Sequence, residues 1–199
     1  ERLWSQDLPR SLELSQQAQA QASADPPYQA GLAAALMNLA KIQYRSAQYD
    51  QSHQNLLQAL TIYQAVAQPL DEASAWTGLG TIYWRLADYA TATEYHLKAV
   101  AIYRAHQALE GEAYALTNLG AVYGVTGDYA TAIETYQQLL DIYRVNGDQK
   151  QIAVCLNNLA MASGQANNLA DARQWARQGL QLARQEKNTF LETQALDTN

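Results

Sequence analysis

The feature that most constrains this 199-residue chain is an internal repeat with a step of 40 residues. A leucine followed by a small residue recurs at this step in four copies. The leucines are Leu39, Leu79, Leu119 and Leu159, and the small residues after them are Ala40, Gly80, Gly120 and Ala160. Self-similarity at a fixed step predicts stacked units of like structure, none of which buries its apolar side without a neighbour.

The spacing within each copy predicts a pair of helices. In the second copy, core-type residues fall at positions i, i+3, i+4 and i+7, which form one face of an α-helix. These residues are Trp76, Leu79, Gly80 and Tyr83. We call the first helix of each pair helix A and the second helix B.

Turn and packing signals support this division. Asp88, and Asp128 in the third copy, are placed to cap helix B, because a carboxylate accepts the free N–H groups of a first turn. Gly127 can take the left-handed conformation that ends helix A. Small residues such as Gly80 and Ala92 would let helices A and B approach each other closely.

The best copies carry a specific signature. They read Ala-Trp-Thr-Gly-Leu-Gly-Thr-Ile-Tyr (75–83) and Ala-Leu-Thr-Asn-Leu-Gly-Ala-Val-Tyr (115–123), followed by Ala-Asp-Tyr-Ala-Thr-Ala (87–92) and Gly-Asp-Tyr-Ala-Thr-Ala (127–132). This pattern resembles the tetratricopeptide repeat, whose usual unit has about 34 residues. The longer step resembles the variant of kinesin light chains and Pins-type polarity scaffolds. The resemblance implies an all-α fold, a right-handed α-solenoid (superhelix) of stacked antiparallel helix-turn-helix hairpins.

The repeat also predicts the domain organisation. Four repeats are expected at residues 29–72, 73–112, 113–151 and 152–192. Residues 1–28 are expected to form a helix, either helix B of a preceding cut repeat or a dedicated cap. Residues 193–199 match the start of another repeat, so the parent protein is expected to continue.

Composition excludes several classes of partner. The net charge is −6 and the sequence has no run of Lys or Arg, so binding to nucleic acid is not expected. No apolar stretch approaches the roughly 18–20 residues that span a bilayer. With Cys155 as the single cysteine, an internal disulfide and a Cys-rich metal site are not expected. We expect a cytoplasmic location.

The titratable residues do not suggest an enzyme. The histidines His53, His96 and His106 fall on or near helix B, and none pairs with a Cys or a carboxylate at metal-ligand spacing. His96 occupies a repeat position filled by other core-type residues, so it is interpreted as a core or boundary histidine. Cys155 is interpreted as a packed small apolar residue. We therefore predict no catalytic residues, no metal and no cofactor.

The resemblance implies that the other faces of the A helices line a concave peptide-binding groove. The candidate groove residues are Asn38, Lys41, Tyr44, Arg45, Thr77, Thr81, Trp84, Arg85, Tyr114, Asn118, Asn157 and Asn158. Trp84 and Tyr44 are residue types typical of binding hot spots if exposed, and core residues otherwise.

Asparagine recurs at one groove position, at Asn38, Asn118 and Asn158, with Gly78 breaking the series. A carboxamide both donates and accepts, so it can pair with the backbone of an extended peptide. The alternative is that each Asn bonds to its own neighbours. Since Gly78 replaces one Asn, the two-carboxylate clamp of chaperone-binding repeats is incomplete, and that chaperone link is not predicted.

Three basic residues, Lys41, Arg45 and Arg85, are expected near one end of the groove, where they favour an acidic or C-terminal carboxylate ligand. The alternative is a solvated face paired with nearby Glu or Asp. The sequence thus predicts a scaffold or adaptor that binds a peptide segment of a partner protein. A regulatory or sensor array of a larger multidomain signalling protein, binding an internal segment, is the alternative. Self-association through the cut ends is a third hypothesis.

Overall fold

The computed structural model describes residues 29–185, together with Glu13 and Gln17. The predicted helix within 1–28 and the predicted further repeat at 193–199 otherwise lie outside the described residues. Residues 29–185 form eight α-helices and no strand. The helices are α1 (Gln29–Arg45), α2 (Tyr49–Ala65), α3 (Pro69–Arg85), α4 (Tyr89–Ala105), α5 (Leu109–Thr126), α6 (Tyr129–Asn146), α7 (Gln149–Gln165) and α8 (Leu169–Gln185). The predicted all-α array of helical hairpins is confirmed.

The described residues divide into two compact units, with the boundary between residues 111 and 112. In the first unit α1 packs on α2, α2 on α3, and α3 on α4. In the second unit α6 packs on α7, and α7 on α8. Helices α1, α3, α5 and α7 are the A helices, and the others are the B helices. None of the described helices is both long and apolar enough to cross a membrane.

The helices begin every 20 residues, so the 40-residue repeat consists of two halves of equal length. The predicted repeat starts at 73, 113 and 152 therefore fall inside α3, α5 and α7, which begin at Pro69, Leu109 and Gln149. The apolar pattern reveals only the buried centre of each A helix and misses its polar first turn. Pro69 suits the first position of α3, because an N–H group at the start of a helix has no intrahelical partner and proline lacks that group.

Every link between helices contains a residue with positive φ. These residues are Ala47, Ala67, Ala87, Gln107, Gly127, Gly147 and Asn167, with φ between +53° and +82°. The prediction for Gly127 is confirmed. Since most of the other links use residues with a Cβ, five of the seven turns carry some backbone strain.

The predicted caps are also confirmed. The Asp88 carboxylate accepts a hydrogen bond from the Thr91 N–H at 3.1 Å, and Asp128 accepts one from Thr131 at 3.2 Å. Asp148 caps α7 in the same way. Each of these bonds satisfies one N–H group of a helix start, which otherwise has no partner.

The small residue after each repeat leucine makes room for a side chain of helix B. A Cβ added at Gly80 would lie 2.7 Å from Cε1 of His96, and one added at Gly120 would lie 2.6 Å from Cε1 of Tyr136. Where the small residue is alanine, the equivalent helix B residue has no ring. These pairs are Ala40 with Leu56 and Ala160 with Ala176. In two of the four hairpins, the predicted close approach is thus a contact between a glycine of helix A and a side-chain ring of helix B.

Candidate partner-binding surface

The predicted groove residues differ widely in exposure, although they share a few repeat positions. Among those on the A helices, Asn38, Lys41, Arg45, Arg85 and Tyr114 are exposed. A second group is half-buried and consists of Tyr44, Thr81, Trp84, Asn118 and Asn158. Equivalent repeat positions therefore do not offer equivalent surfaces to a ligand.

Two predicted groove residues are buried, and the prediction for them is corrected. Thr77 is 1% exposed, and its hydroxyl donates to the carbonyl of Ala73 at 2.9 Å. Asn157 is 9% exposed, and its Nδ2 lies 3.7 Å from Sδ of Met161. A residue buried and bonded within its own helix offers little to a ligand.

The asparagine series has a physical explanation for its gap. A Cβ added at Gly78 would lie 3.0 Å from Cδ2 and 3.1 Å from Cδ1 of Leu56, so an asparagine there would require the Leu56 side chain to shift. At the equivalent position of the second unit, Nδ2 of Asn118 is buried and has no hydrogen-bond partner within the described residues. The alternative interpretation was that each asparagine forms hydrogen bonds with neighbouring residues. The Nδ2 group of Asn118 does not support it.

Arg85 lies at the end of α3 and reaches the preceding hairpin. Its Nη2 donates to the Tyr49 hydroxyl at 3.5 Å, and the Tyr49 ring packs against Tyr44 with centroids 5.6 Å apart. The hydrogen bond to Tyr49 is the main cause that raises the pKa of Arg85 above its ordinary value, followed by the nearby Tyr49 and Tyr44 hydroxyls. Three helices of the first unit thus combine an exposed guanidinium with two tyrosines.

We call this set, Tyr44, Tyr49 and Arg85, the Arg85 cluster. Tyr44 and Arg85 were predicted site residues, whereas Tyr49 was not. In the sequence, Tyr49 recurs at the 40-residue step as Tyr89 and Tyr129. Its position at the start of helix B, next to the end of the following helix A, would have been the signal. Trp84 precedes Arg85, and its ring centroid lies 6.0 Å from the guanidinium carbon.

A second group of aromatic residues ties α2, α3 and α4 together. The ring centroids of Trp76 and Tyr95 are 5.0 Å apart, and those of Tyr83 and Tyr95 are 5.4 Å apart. The Tyr83 hydroxyl lies 3.2 Å from Nε2 of His53. Lys98 covers the group, with its Nζ 4.6 Å from the Trp76 centroid. This half-buried group supports the helix that carries Arg85.

The remaining reactive side chains are packed rather than presented. Cys155 is buried, its Sγ donates to the carbonyl of Tyr136 at 3.1 Å, and burial raises its pKa to about 12. His96 is fully buried. Both predictions of a core role are confirmed. Among the described residues, no group of three or more His, Cys, Asp or Glu is placed to hold a metal ion.

Comparison with known proteins decides the family. Two family models described as tetratricopeptide repeat match the chain, one over residues 111–185 and the other over 32–69 and 73–106. The chain belongs to the tetratricopeptide repeat family. Comparison of the sequence with curated proteins found no match.

Several solved structures share the fold. A putative kinesin light chain from Podosopora anserina, with nearly identical TPR-like repeats, is 18% identical with a TM-score of 0.74, over 94% of this chain and 93% of that one. The Rap conjugation gene regulator of the plasmid pLS20, in complex with the Phr* peptide, is 15% identical with a TM-score of 0.69, over 97% and 53%. The likeness to the kinesin light chain repeats fits the long variant expected from the 40-residue step.

A third structure is a Signal Transduction ATPase with Numerous Domains from Pyrococcus horikoshii, which carries a tetratricopeptide repeat sensor. It is 17% identical with a TM-score of 0.77, over 85% of this chain and 26% of that one. This chain thus spans about half of the Rap regulator and about a quarter of the ATPase. At these identities the likeness concerns the fold.

Proposed function

We propose that this chain is a protein-interaction module that binds a peptide segment of a partner on the surface of its A helices, with an anionic group of the ligand at Arg85. The observation that carries the proposal is the Arg85 cluster. An exposed guanidinium is held there by a neutral hydroxyl, so the contact with Tyr49 leaves its positive charge in place.

The chemistry of the cluster suits a carboxylate next to an apolar group. A guanidinium has five N–H donors in a planar fork, and Tyr49 accepts from only one nitrogen. The remaining donors can engage a carboxylate in two parallel bonds. The rings of Tyr44 and Tyr49 offer apolar contact beside them. In a chain of net charge −6, a local basic site also selects against neutral and basic ligands.

Asparagines on A helices of each unit are further proposed contacts with the backbone of a peptide. Asn38 is exposed on α1, while Asn118 and Asn158 are half-buried on α5 and α7. A carboxamide can contact the main chain of a ligand whatever the ligand's side chains are. Such contacts would add affinity without selecting for a particular ligand sequence. Lys41, Arg45, Thr81 and Tyr114 remain proposed contacts on the strength of their accessible positions.

The experiment is a selection of random peptides by phage display on the 199-residue chain, followed by fluorescence anisotropy with the best peptide. Arg85→Gln should weaken binding roughly tenfold, which corresponds to about 1.4 kcal/mol. The matched control is Arg177→Gln, the same substitution at an exposed residue of the B helix α8, and it should change affinity less than twofold. Raising the salt concentration should weaken wild-type binding more than binding by Arg85→Gln.

A second variant tests the asparagines separately. Replacement of Asn38, Asn118 and Asn158 by Ala should weaken binding of peptides with unrelated side chains to a similar extent. Circular dichroism must first show that the variant is folded. If Arg85→Gln and the triple variant both bind as well as the wild type, the ligand lies elsewhere and the proposal fails.

A second candidate is a regulatory or sensor array that binds an internal segment of a larger protein. The likeness to an ATPase that carries a tetratricopeptide repeat sensor favours this candidate. This chain spans 26% of that ATPase. Peptides that tile the rest of the encoded polypeptide would compete with the selected peptide in the anisotropy assay. Displacement by one of them supports the internal segment, and displacement by none supports a partner in trans. Self-association stays a separate proposal, tested by sedimentation at several concentrations.

A further inference from the structure

His96 on α4 is a basic side chain in a fully buried place. Its exposed fraction is 0%, and neither ring nitrogen has a hydrogen-bond partner within residues 29–185. The equivalent residues of the other hairpins are Leu56, Tyr136 and Ala176, none of which gains a positive charge. The second hairpin thus carries an ionisable group where its neighbours are neutral at every pH relevant to a cell.

The ring is wedged against the backbone of α3. A Cβ added at Gly80 would lie 2.7 Å from Cε1 and 2.9 Å from both ring nitrogens of His96. The imidazole therefore fills the contact between the two helices of this hairpin. A charged ring would be buried there without a partner among residues 29–185, and burying an unpaired charge is costly.

Within residues 29–185, the ring nitrogens of His96 make no hydrogen bond that would compensate for this burial. Along α4, the residues one turn before and after His96 are Ala92, Thr93, Ala99 and Val100. On α3, the ionisable residue within one turn of Gly80 is Tyr83, whose hydroxyl is hydrogen-bonded to His53. Glu94 and Lys98 lie two residues from His96 along α4, but they are exposed and pair with each other at 2.7 Å. The other charged residues of the two helices are Asp71, Glu72, Arg85 and Arg104. Burial accordingly lowers the pKa of His96 to about 4.

We propose that protonation of His96 opens the α3–α4 hairpin and thereby releases a bound partner from α3, which makes binding by this module sensitive to mild acid. The binding part of this proposal rests on the proposed function, whereas the opening of the hairpin does not. Arg85 and Trp84 lie within about one turn of Gly80 on the same helix. A shift of α3 away from α4 would therefore move the Arg85 cluster.

The pH range follows from linkage. An open hairpin binds a proton with the ordinary pKa of histidine, near 6.5, and the closed hairpin with a pKa of about 4. The open state thus binds more protons between these values, so the closed state is fully favoured above pH 6.5 and loses stability as the pH falls towards 4. Opening should be about 30-fold more favourable at pH 5 than at pH 7.5.

The opening is measured by amide hydrogen exchange of the full 199-residue chain between pH 7.5 and 5, corrected for intrinsic exchange. Peptides from α3 and α4 should show the increase, and peptides from α7 and α8 serve as the reference within the same chain. His96→Leu, the residue of the first hairpin, and His96→Tyr, that of the third, should abolish the increase. Two variants are used because one of them alone could pack poorly. Equal pH dependence in wild type and a folded variant would overturn the proposal.

The release is measured by anisotropy with the phage-selected peptide over the same pH range. Wild-type affinity should fall more than that of the His96 variants between pH 7.5 and 5, by no more than the roughly 30-fold change in the opening equilibrium. If the hairpin opens but the affinities of wild type and variants fall equally, the release is refuted while the proposed function stands. If no peptide is selected, the proposed function fails, and the exchange data still decide whether the hairpin opens.

Discussion

Gly120 offers the sharpest test of how these hairpins pack. It lies on α5, and a methyl group added there would lie 2.6 Å from Cε1, 2.8 Å from Cζ and 3.0 Å from Cδ1 of Tyr136. Tyr136 is buried on α6, so its ring has little space into which it can retreat. Gly120→Ala therefore forces either the ring or the helix to move.

Two opposing effects set the magnitude. Overpacking a core by about one methylene costs about 1–3 kcal/mol. Replacing glycine by alanine inside a helix contributes about 1 kcal/mol of stability through backbone entropy. Gly120→Ala should therefore lower the free energy of unfolding by up to about 2 kcal/mol. Gly124→Ala on the same helix is the matched control, because its Cβ would meet nothing within 4 Å, and it should raise stability by up to about 1 kcal/mol.

A double-mutant cycle isolates the contact. The first hairpin pairs Ala40 with Leu56, so Gly120→Ala combined with Tyr136→Leu reproduces a natural combination. In the Tyr136→Leu background, Gly120→Ala should stabilise, and the coupling energy should be about 1–3 kcal/mol. Guanidinium unfolding followed by circular dichroism measures all four proteins. If Gly120→Ala has the same effect in both backgrounds, or the same effect as Gly124→Ala, the clash with Tyr136 does not exist and the reasoning is refuted.

Two further predictions use the same unfolding measurement. Gly127→Ala should lower the free energy of unfolding by about 1 kcal/mol, because the φ of +82° at this residue disfavours a Cβ. Ala87→Gly at the equivalent link should raise it by up to about 1 kcal/mol. Equal changes for the two variants would contradict this. Asp128→Ala should lose about 1 kcal/mol with the cap bond to Thr131. Gln48 makes no side-chain cap bond at the start of α2, so the substitution Gln48→Asp should raise the free energy of unfolding by a similar amount. No increase would argue against the cap explanation.

The repeat made the fold predictable because it exposes structure that a single copy would leave ambiguous. The leucine and small-residue positions, the caps at Asp88 and Asp128 and the turn at Gly127 all follow from residue types with a strong local preference. The left-handed links at Ala47, Ala87 and the other residues that carry a Cβ were not predicted, because such residues give no signal for positive φ. The 20-residue spacing of Gly127 and Gly147 was the available clue.

The site was less predictable because exposure depends on neighbours from other helices. Thr77 and Asn157 occupy the same repeat position and are both buried, so that position failed as a groove position in two copies. Helical periodicity tells which residues share a face, but not how closely the next helix covers that face. Tyr49 was missed for the converse reason, since its contact with Arg85 joins residues of different hairpins.

The substitutions that distinguish one repeat from another come in pairs, and this explains why the surface is not periodic. A ring on helix B accompanies glycine on helix A at His96 and Tyr136, and the Leu56 side chain fills the space beside Gly78. The B-helix side chain thus lies where a Cβ of the A helix would otherwise be, at Gly80 and Gly120 within a hairpin and at Gly78 between consecutive hairpins. Since the A helices carry the proposed binding surface, residues buried on the B helices decide which of its positions can present a side chain to a partner.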